Sequence, residues 1–183
     1  MAKLTKLELP LHDDNVRSRL MRAKNKADLY KIIVNEPFKN PVHTTELGLG
    51  IIVLLLINKQ TKTIDRIALS KTDLAAGAIK MSELPFNAIR IPIDHKQNAI
   101  VRAINTKKQT GVSDWQYLFI PALDPQAARL NQAGAGVEYS VVSPFYGRRS
   151  GALIFSYFLP RQKITNKQRK FMQTYTELVS ELI

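Results

Sequence analysis

Cysteine is absent from the 183 residues. That absence excludes disulfides, thiolate metal ligation, thioether attachment of a chromophore and cysteine-based redox catalysis by this chain. Long apolar runs are also scarce. The longest, LGLGIIVLLLI from Leu47 to Ile57, falls well short of the ~20 residues that cross a bilayer, and reads as a buried strand. The opening MAKLTKLELPLHDD has no extended apolar core and no small-residue cleavage site, so it is not expected to be a secretory signal. A soluble, cytoplasmic chain with no membrane partner is the expectation. Catalytic signatures are missing as well. There is no GxSxG nucleophile elbow and no HExxH, and His12, His43 and His95 are scattered, which leaves neither an activated serine nor a zinc site in view. The Gly134–Gly136 GAG precedes a strand instead of opening a helix, so it lacks the helix dipole that a phosphate loop uses.

Acidic residues are the next shortage. The chain carries 27 Lys and Arg against 15 Asp and Glu, a net charge of +12. Between Tyr139 and Thr176 seven basic residues (Arg148, Arg149, Arg161, Lys163, Lys167, Arg169, Lys170) occur without one acid. Such a field suits an acidic partner, nucleic acid or protein, and equally suits a solvated face. Aromatic residues of the kind that stack bases are sparse among these charges, Tyr146 and Phe171 being the nearest, which disfavours single-strand binding.

At this length one domain is expected, burying roughly 70% of its unfolded surface. Asp13 or Asp14 can cap a helix that runs to about Asn35, before Pro37. On it Val16, Leu20, Ala23, Ala27, Tyr30 and Val34 recur at alternating spacings of four and three, a heptad seam. The two-proline segment EPFKNPVHTTE then reads as a linker. Gly50–Ile57 and IDRIALS flank the polar NKQTKT and predict an antiparallel hairpin. Ser70 or Thr72 can cap a short helix through AAGAI, and Asp94 with Gln97 can cap one that reaches Asn105. IRIPI is a strand of period two. Ser113 and Gln116 form a further capping box beside Trp115, the one tryptophan. Asp124–Pro125 opens a helix that Gly134 and Gly136 stop. The strands GVEYSVVSPFY and SGALIFSYF are joined by GRRS and end at Pro160, after which Thr165 and Gln168 box the last helix. Phe171, Tyr175, Leu178 and Leu182 form its apolar seam.

These elements give an α/β chain of the α+β type. The hairpin GIIVLLLINKQTKTIDRIALS, the helix and strand after it, and above all YSVVSPFYGRRSGALIFSYFLPRQKITNKQRKFMQTYTELVSELI resemble a GAF domain, the PAS-related fold of small-molecule sensing and dimerisation. The resemblance implies a central antiparallel sheet with helices on both faces and the N- and C-terminal helices packed together. It covers residues 47–183, with 1–46 as an arm, amphipathic helix and linker. Bilin attachment and methionine sulfoxide reduction in that family use cysteine, and this chain has none. The Asn-Lys-Phe-Asp-Glu signature of its cyclic-nucleotide sensors is also missing, since Asn58 and Lys59 sit in a hairpin turn without the aromatic and acidic partners. No helix-turn-helix, kinase or phosphodiesterase motif is seen within these residues, so output through a separate protein is the expectation.

The resemblance further implies a pocket between the sheet and short helices. Trp115 would wall it, Tyr139, Ser140 and Ser156 would offer polar groups into an apolar cavity, and Ser70 would either join them or cap the helix that follows. The expected role is a non-catalytic sensory or regulatory module, with no enzyme activity and no cofactor. It would bind a small molecule, act on a separate effector protein, and form a homodimer through Leu20, Ala27, Phe171, Tyr175 and Leu178. The alternative is a basic adaptor that binds nucleic acid or an acidic protein through Arg148, Arg149, Arg161, Lys163, Lys167 and Lys170.

Overall fold

The computed structural model describes residues 14–159 and 164–183. Its centre is a six-stranded antiparallel sheet, built from β1 (Leu49–Asn58), β2 (Thr63–Leu69), β3 (Arg90–Pro92), β4 (Thr110–Val112), β5 (Tyr139–Tyr146) and β6 (Ser150–Tyr157). In space the order is β3-β2-β1-β6-β5-β4. β1 is buried on both faces and sits centrally because its aliphatic run offers no polar side to water. Both edges end in three-residue strands, and Pro92 lies on one of them, which blunts the sheet against further pairing.

Helices cover both faces, as the fold class requires. On one face lie α4 (Asp73–Lys80), α5 (Ala99–Thr106), α6 (Gln116–Phe119) and α7 (Pro125–Ala135). The core here joins Ile51, Val53 and Leu55 of β1 to Ile154 of β6 and to Trp115, Leu118 and Phe119. On the other face lie α1 (Asp14–Met21), α2 (Lys26–Asn35), α3 (Pro41–Thr45) and α8 (Asn166–Leu182). The second core joins Ile52, Leu54 and Leu56 to Phe155 and Tyr157 of β6 and to Phe171, Met172 and Tyr175 of α8. Period-two alternation along β1 and β6 thus sends successive residues to opposite cores. Arg17 of α1 pairs with Glu181 of α8 at 2.7 Å, so the terminal helices meet. No helix among the described residues is long and apolar enough to cross a membrane.

Several local signals act as the sequence suggests. Asp124 caps α7, its carboxylate accepting from Gln126 N and Ala127 N, and Gly136 ends the helix in the left-handed region at φ 60°. Thr165 and Gln168 form the capping box of α8, and the Gln168 amide also donates to Leu47 O at 2.7 Å, pinning the helix start to the segment that leads into β1. Other signals lose to competitors. The expected single helix to Asn35 is two helices, because Asn25 breaks it and caps α2 by accepting from Asp28 N. The supposed linker is helical in part: Pro37 lies in a 3₁₀ turn (Glu36–Lys39), and Pro41 opens α3 under an Asn40 cap. Asn98 caps α5 in place of Asp94, since its amide also donates to Leu118 O and Ile120 O and ties α5 to α6. Near Trp115 there is no Ser113 box; Asp114 accepts from Gln116 N instead. Asp13 and Pro160 lie outside the described residues.

The packing places most residues of the expected dimer seam inside the chain's own core. Leu20, Phe171 and Tyr175 are buried in the chain's own second core, where Phe155 meets Phe171 and Tyr175 edge-on and Phe171 and Tyr175 stack. Tyr175 O–H donates to Ile33 O at 2.6 Å, and burial, then the Glu36 charge, raise its pKa. Of the five residues only exposed Ala27 and half-buried Leu178 retain surface. A seven-residue repeat here serves to lay helices on a sheet.

Candidate functional site

Between the sheet and the α4–α7 layer lies a small, half-open pocket of about 40 Å³. Its floor is Ile51 and Val53 of β1 with Ile154 and Ser156 of β6. Ala78 and Ile79 of α4 and Asn131 of α7 roof it, and Trp115, Leu118 and Phe119 close one side. The roof is tight because α4 and α7 cross at Gly77 and Gly134. A Cβ on Gly77 would lie 2.1 Å from Gly134 O.

Trp115 is held from behind. Its backbone N–H donates to Gln132 Oε1, and the Gln132 amide donates to Ser113 O and Val137 O. Next to it Arg129 donates twice to Asp114 Oδ2, at 2.9 and 3.0 Å. Burial alone would raise the Asp114 carboxyl; the hydrogen bonds from Gln116 and Arg129 and the Arg129 charge outweigh it, and its pKa lies below the ordinary carboxylate value. The indole N–H donates to Ser140 Oγ at 2.9 Å, and Ser140 and Ser156 share a hydrogen bond of 2.8 Å. Indole can only donate. Ser140 therefore accepts from Trp115 and can pass its own proton to Ser156, which leaves the Ser156 hydroxyl proton for the pocket.

Of the expected ligand residues, Trp115 and Ser156 line this pocket. Ser140 stands one hydrogen bond behind them. Tyr139 does not join them: as the neighbour of Ser140 on β5 it points the other way and packs on the second core. Ser70 is neither pocket residue nor cap. Its hydroxyl accepts from Ile52 N across the β1–β2 ladder, and Thr72 caps α4.

Two residues that the sequence reading left out also line the pocket, Arg66 and Asn131. β2 pairs Ala68 with Leu54 but Arg66 with Leu55, so Ile67 is an extra residue in a β-bulge. The bulge lets Arg66 and Leu69 share the pocket face. The Arg66 guanidinium lies 4.1 Å from the Phe119 ring centroid and 5.7 Å from that of Phe86. Burial pulls its pKa down to about 9, so it remains a cation at neutral pH. One signal was available: period two puts Arg66 on the same face as buried Ile64.

The expected partner-binding residues do not form one patch. Arg148 and Arg149 are exposed at the β5–β6 turn, where Arg149 donates to Tyr30 O–H. That turn packs at Ser180, near the end of α8, whose hydroxyl donates to Tyr146 O. Lys167 and Lys170 are on the first turns of α8, roughly 20 Å and 15 Å away along the helix at 1.5 Å per residue. Lys167 already faces Glu46 at 3.5 Å. Arg161 and Lys163 lie outside the described residues.

No protein-family model matches the chain, and a search of curated proteins finds no match. Among solved structures the chain is similar to the GAF domain of an Acinetobacter phosphoenolpyruvate-protein phosphotransferase, with 10% identity over 92% of this chain and 88% of that one and a TM-score of 0.61. A phycocyanobilin-bound GAF domain from a cyanobacterial phytochrome matches at 16% identity over 94% and 93%, with a TM-score of 0.58. The free methionine-R-sulfoxide reductase of Neisseria meningitidis, in complex with its substrate, matches at 11% identity over 91% and 83%, with a TM-score of 0.55. The chain therefore has the GAF-domain fold. The last likeness corrects the expectation that the chain is not an enzyme. This fold carries catalysis in at least one structural neighbour, so architecture gives no ground for ruling it out.

Proposed function

We propose that the chain is a sensory or regulatory module that recognises a small molecule in the pocket beside Trp115. The observation that carries this reading is the pocket itself, with apolar walls and a few placed polar groups (Arg66, Asn131, Ser156), which is how ligand sites are built. The GAF domains of a phosphotransferase and a phytochrome among its structural neighbours support it. The reading does not rest on self-association, because Leu20, Phe171 and Tyr175 are committed to the sheet. Output to a separate effector protein in the cytoplasm belongs to the same proposal.

Thermal-shift measurements over a library of cytoplasmic metabolites test it. A ligand present at 100 times its Kd raises stability by about 2.7 kcal/mol. Hits should also perturb the fluorescence of the single tryptophan. A library that moves neither the melting temperature nor Trp115 emission would defeat the reading.

A further inference from the structure

We propose that the pocket selects small carboxylates, with Arg66 as the counter-charge and Asn131 receiving a hydrogen bond from a donor on the same molecule. This rests on the reading of the pocket as a ligand site and adds the chemical class.

Arg66 is a cation without an anion. Among the described residues it makes no hydrogen bond or ion pair, and its Nε is closed off from solvent with no acceptor. No Asp or Glu lines the pocket. The adjacent Asp65 is engaged elsewhere, accepting from Asn58 Nδ2 and Thr63 Oγ1 and facing Arg90 at 4.0 Å. What holds Arg66 is aromatic: the Phe119 ring, with Phe86 further off, stabilises the guanidinium without using an N–H. The donors that fork toward a planar, two-oxygen anion therefore stay available. With Nε closed off and no carboxylate in reach, the half-buried guanidinium loses part of its hydration on folding, a cost that an anionic ligand would offset.

Asn131 supplies the second half by proton accounting. Ser82 Oγ donates its only proton to Leu84 O at 2.7 Å, so it can only accept from Asn131, whose Nδ2 faces it at 3.2 Å. That fixes the amide orientation and leaves Asn131 Oδ1 buried and unpartnered. Two residues that line one pocket thus carry an unanswered donor cation and an unanswered acceptor. The walls around Arg66 are largely apolar (Ile51, Val53, Leu118, Phe119), which suits an acid carrying a hydrocarbon part and favours a carboxylate over inorganic phosphate.

The test uses the whole chain and matched probes: acetate, propionate and lactate, their neutral counterparts acetamide, propionamide and lactamide, and inorganic phosphate. The readout is the Trp115 indole N–H cross-peak in NMR, a single resonance because the chain has one tryptophan. Carboxylates should shift it saturably, and the amides should bind roughly tenfold or more weakly. Lactate, with its hydroxyl donor, should bind more tightly than propionate, and Asn131→Ala should remove that advantage. Arg66→Met should abolish carboxylate binding while raising the melting temperature of the ligand-free protein. Amides binding as well as acids would overturn the inference and leave the pocket a ligand site. Phosphate binding without carboxylate binding would overturn the choice of anion alone. Silence from every probe overturns the inference, and the metabolite library then decides the broader reading. A loss of melting temperature in Arg66→Met would mean that Arg66 serves packing, and the wild-type acid and amide comparison stands without that variant.

Discussion

Replacing Gly77 by Ala inserts one methyl where α4 crosses α7. Its ideal position is 2.1 Å from Gly134 O and 3.1 Å from Gly134 C, whereas real Cβ atoms essentially never approach within 3.0 Å. The helices must therefore part by at least 0.9 Å, the difference between 3.0 and 2.1 Å, and the obstacle is backbone that no rotamer change can move aside. Overpacking of this kind costs about 1–3 kcal/mol, and a radial gap of this size forfeits up to half of each dispersion contact across the crossing. Alanine returns about 0.8–1.0 kcal/mol of helix propensity. With both flanks rigid, the upper end of the strain applies, and the net loss is about 2 kcal/mol. For a chain of this length that lowers Tm by about 4–8 °C. Differential scanning calorimetry on Gly77→Ala measures it. Gly136→Ala is the control: its Cβ would meet only Leu74 Cδ2 at 3.8 Å, so the strain there comes from φ +60° alone. Gly77→Ala melting at or above the wild-type temperature would refute the crossing as described.

Two further outcomes follow from paired charges. Glu36 has a fully buried side chain between Arg19 Nε and Lys39 Nζ. Glu36→Gln should cost about 2 kcal/mol in urea denaturation, below the usual penalty for breaking a buried pair because both cations remain partly solvated; an unchanged midpoint would count against the pair. Asp114 has a depressed pKa, so its contribution is present above the unfolded carboxyl value of about 3.9 and disappears as pH falls through the folded value. Asp114→Asn should accordingly flatten part of the acid limb of a Tm-against-pH curve below about pH 4, and identical acid limbs would contradict the Arg129 pairing.

Much of the fold was legible because its signals are local. Asp124–Pro125, Gly136 and the Thr165–Gln168 box need only neighbours in sequence, and the hairpin strands announce themselves by β-branched runs around a polar turn. Where the reading went astray, a distant partner decided. Asn98 outcompetes Asp94 because its amide also binds two carbonyls of the α6 region. The seam through Ala23 and Ala27 looked continuous, yet Asn25 and Asp28 supplied a stronger stop and start. At the site, Trp115 and Ser156 could be found by type and strand position. Arg66 could be placed on the face of Ile64 by period two, but the bulge at Ile67 hid that Leu69 shares that face, and Asn131 acquires meaning only once the Ser82 proton is assigned.

β6 has no inert filling between its two sides. Ser156 touches the cavity, while its chain neighbours Phe155 and Tyr157 belong to the second core beneath α8. An occupant that moved the Ser156 backbone would therefore also move the backbone that carries those rings. News of occupancy would then travel the thickness of one strand and arrive at the C-terminal helix, with no lever, hinge or loop required.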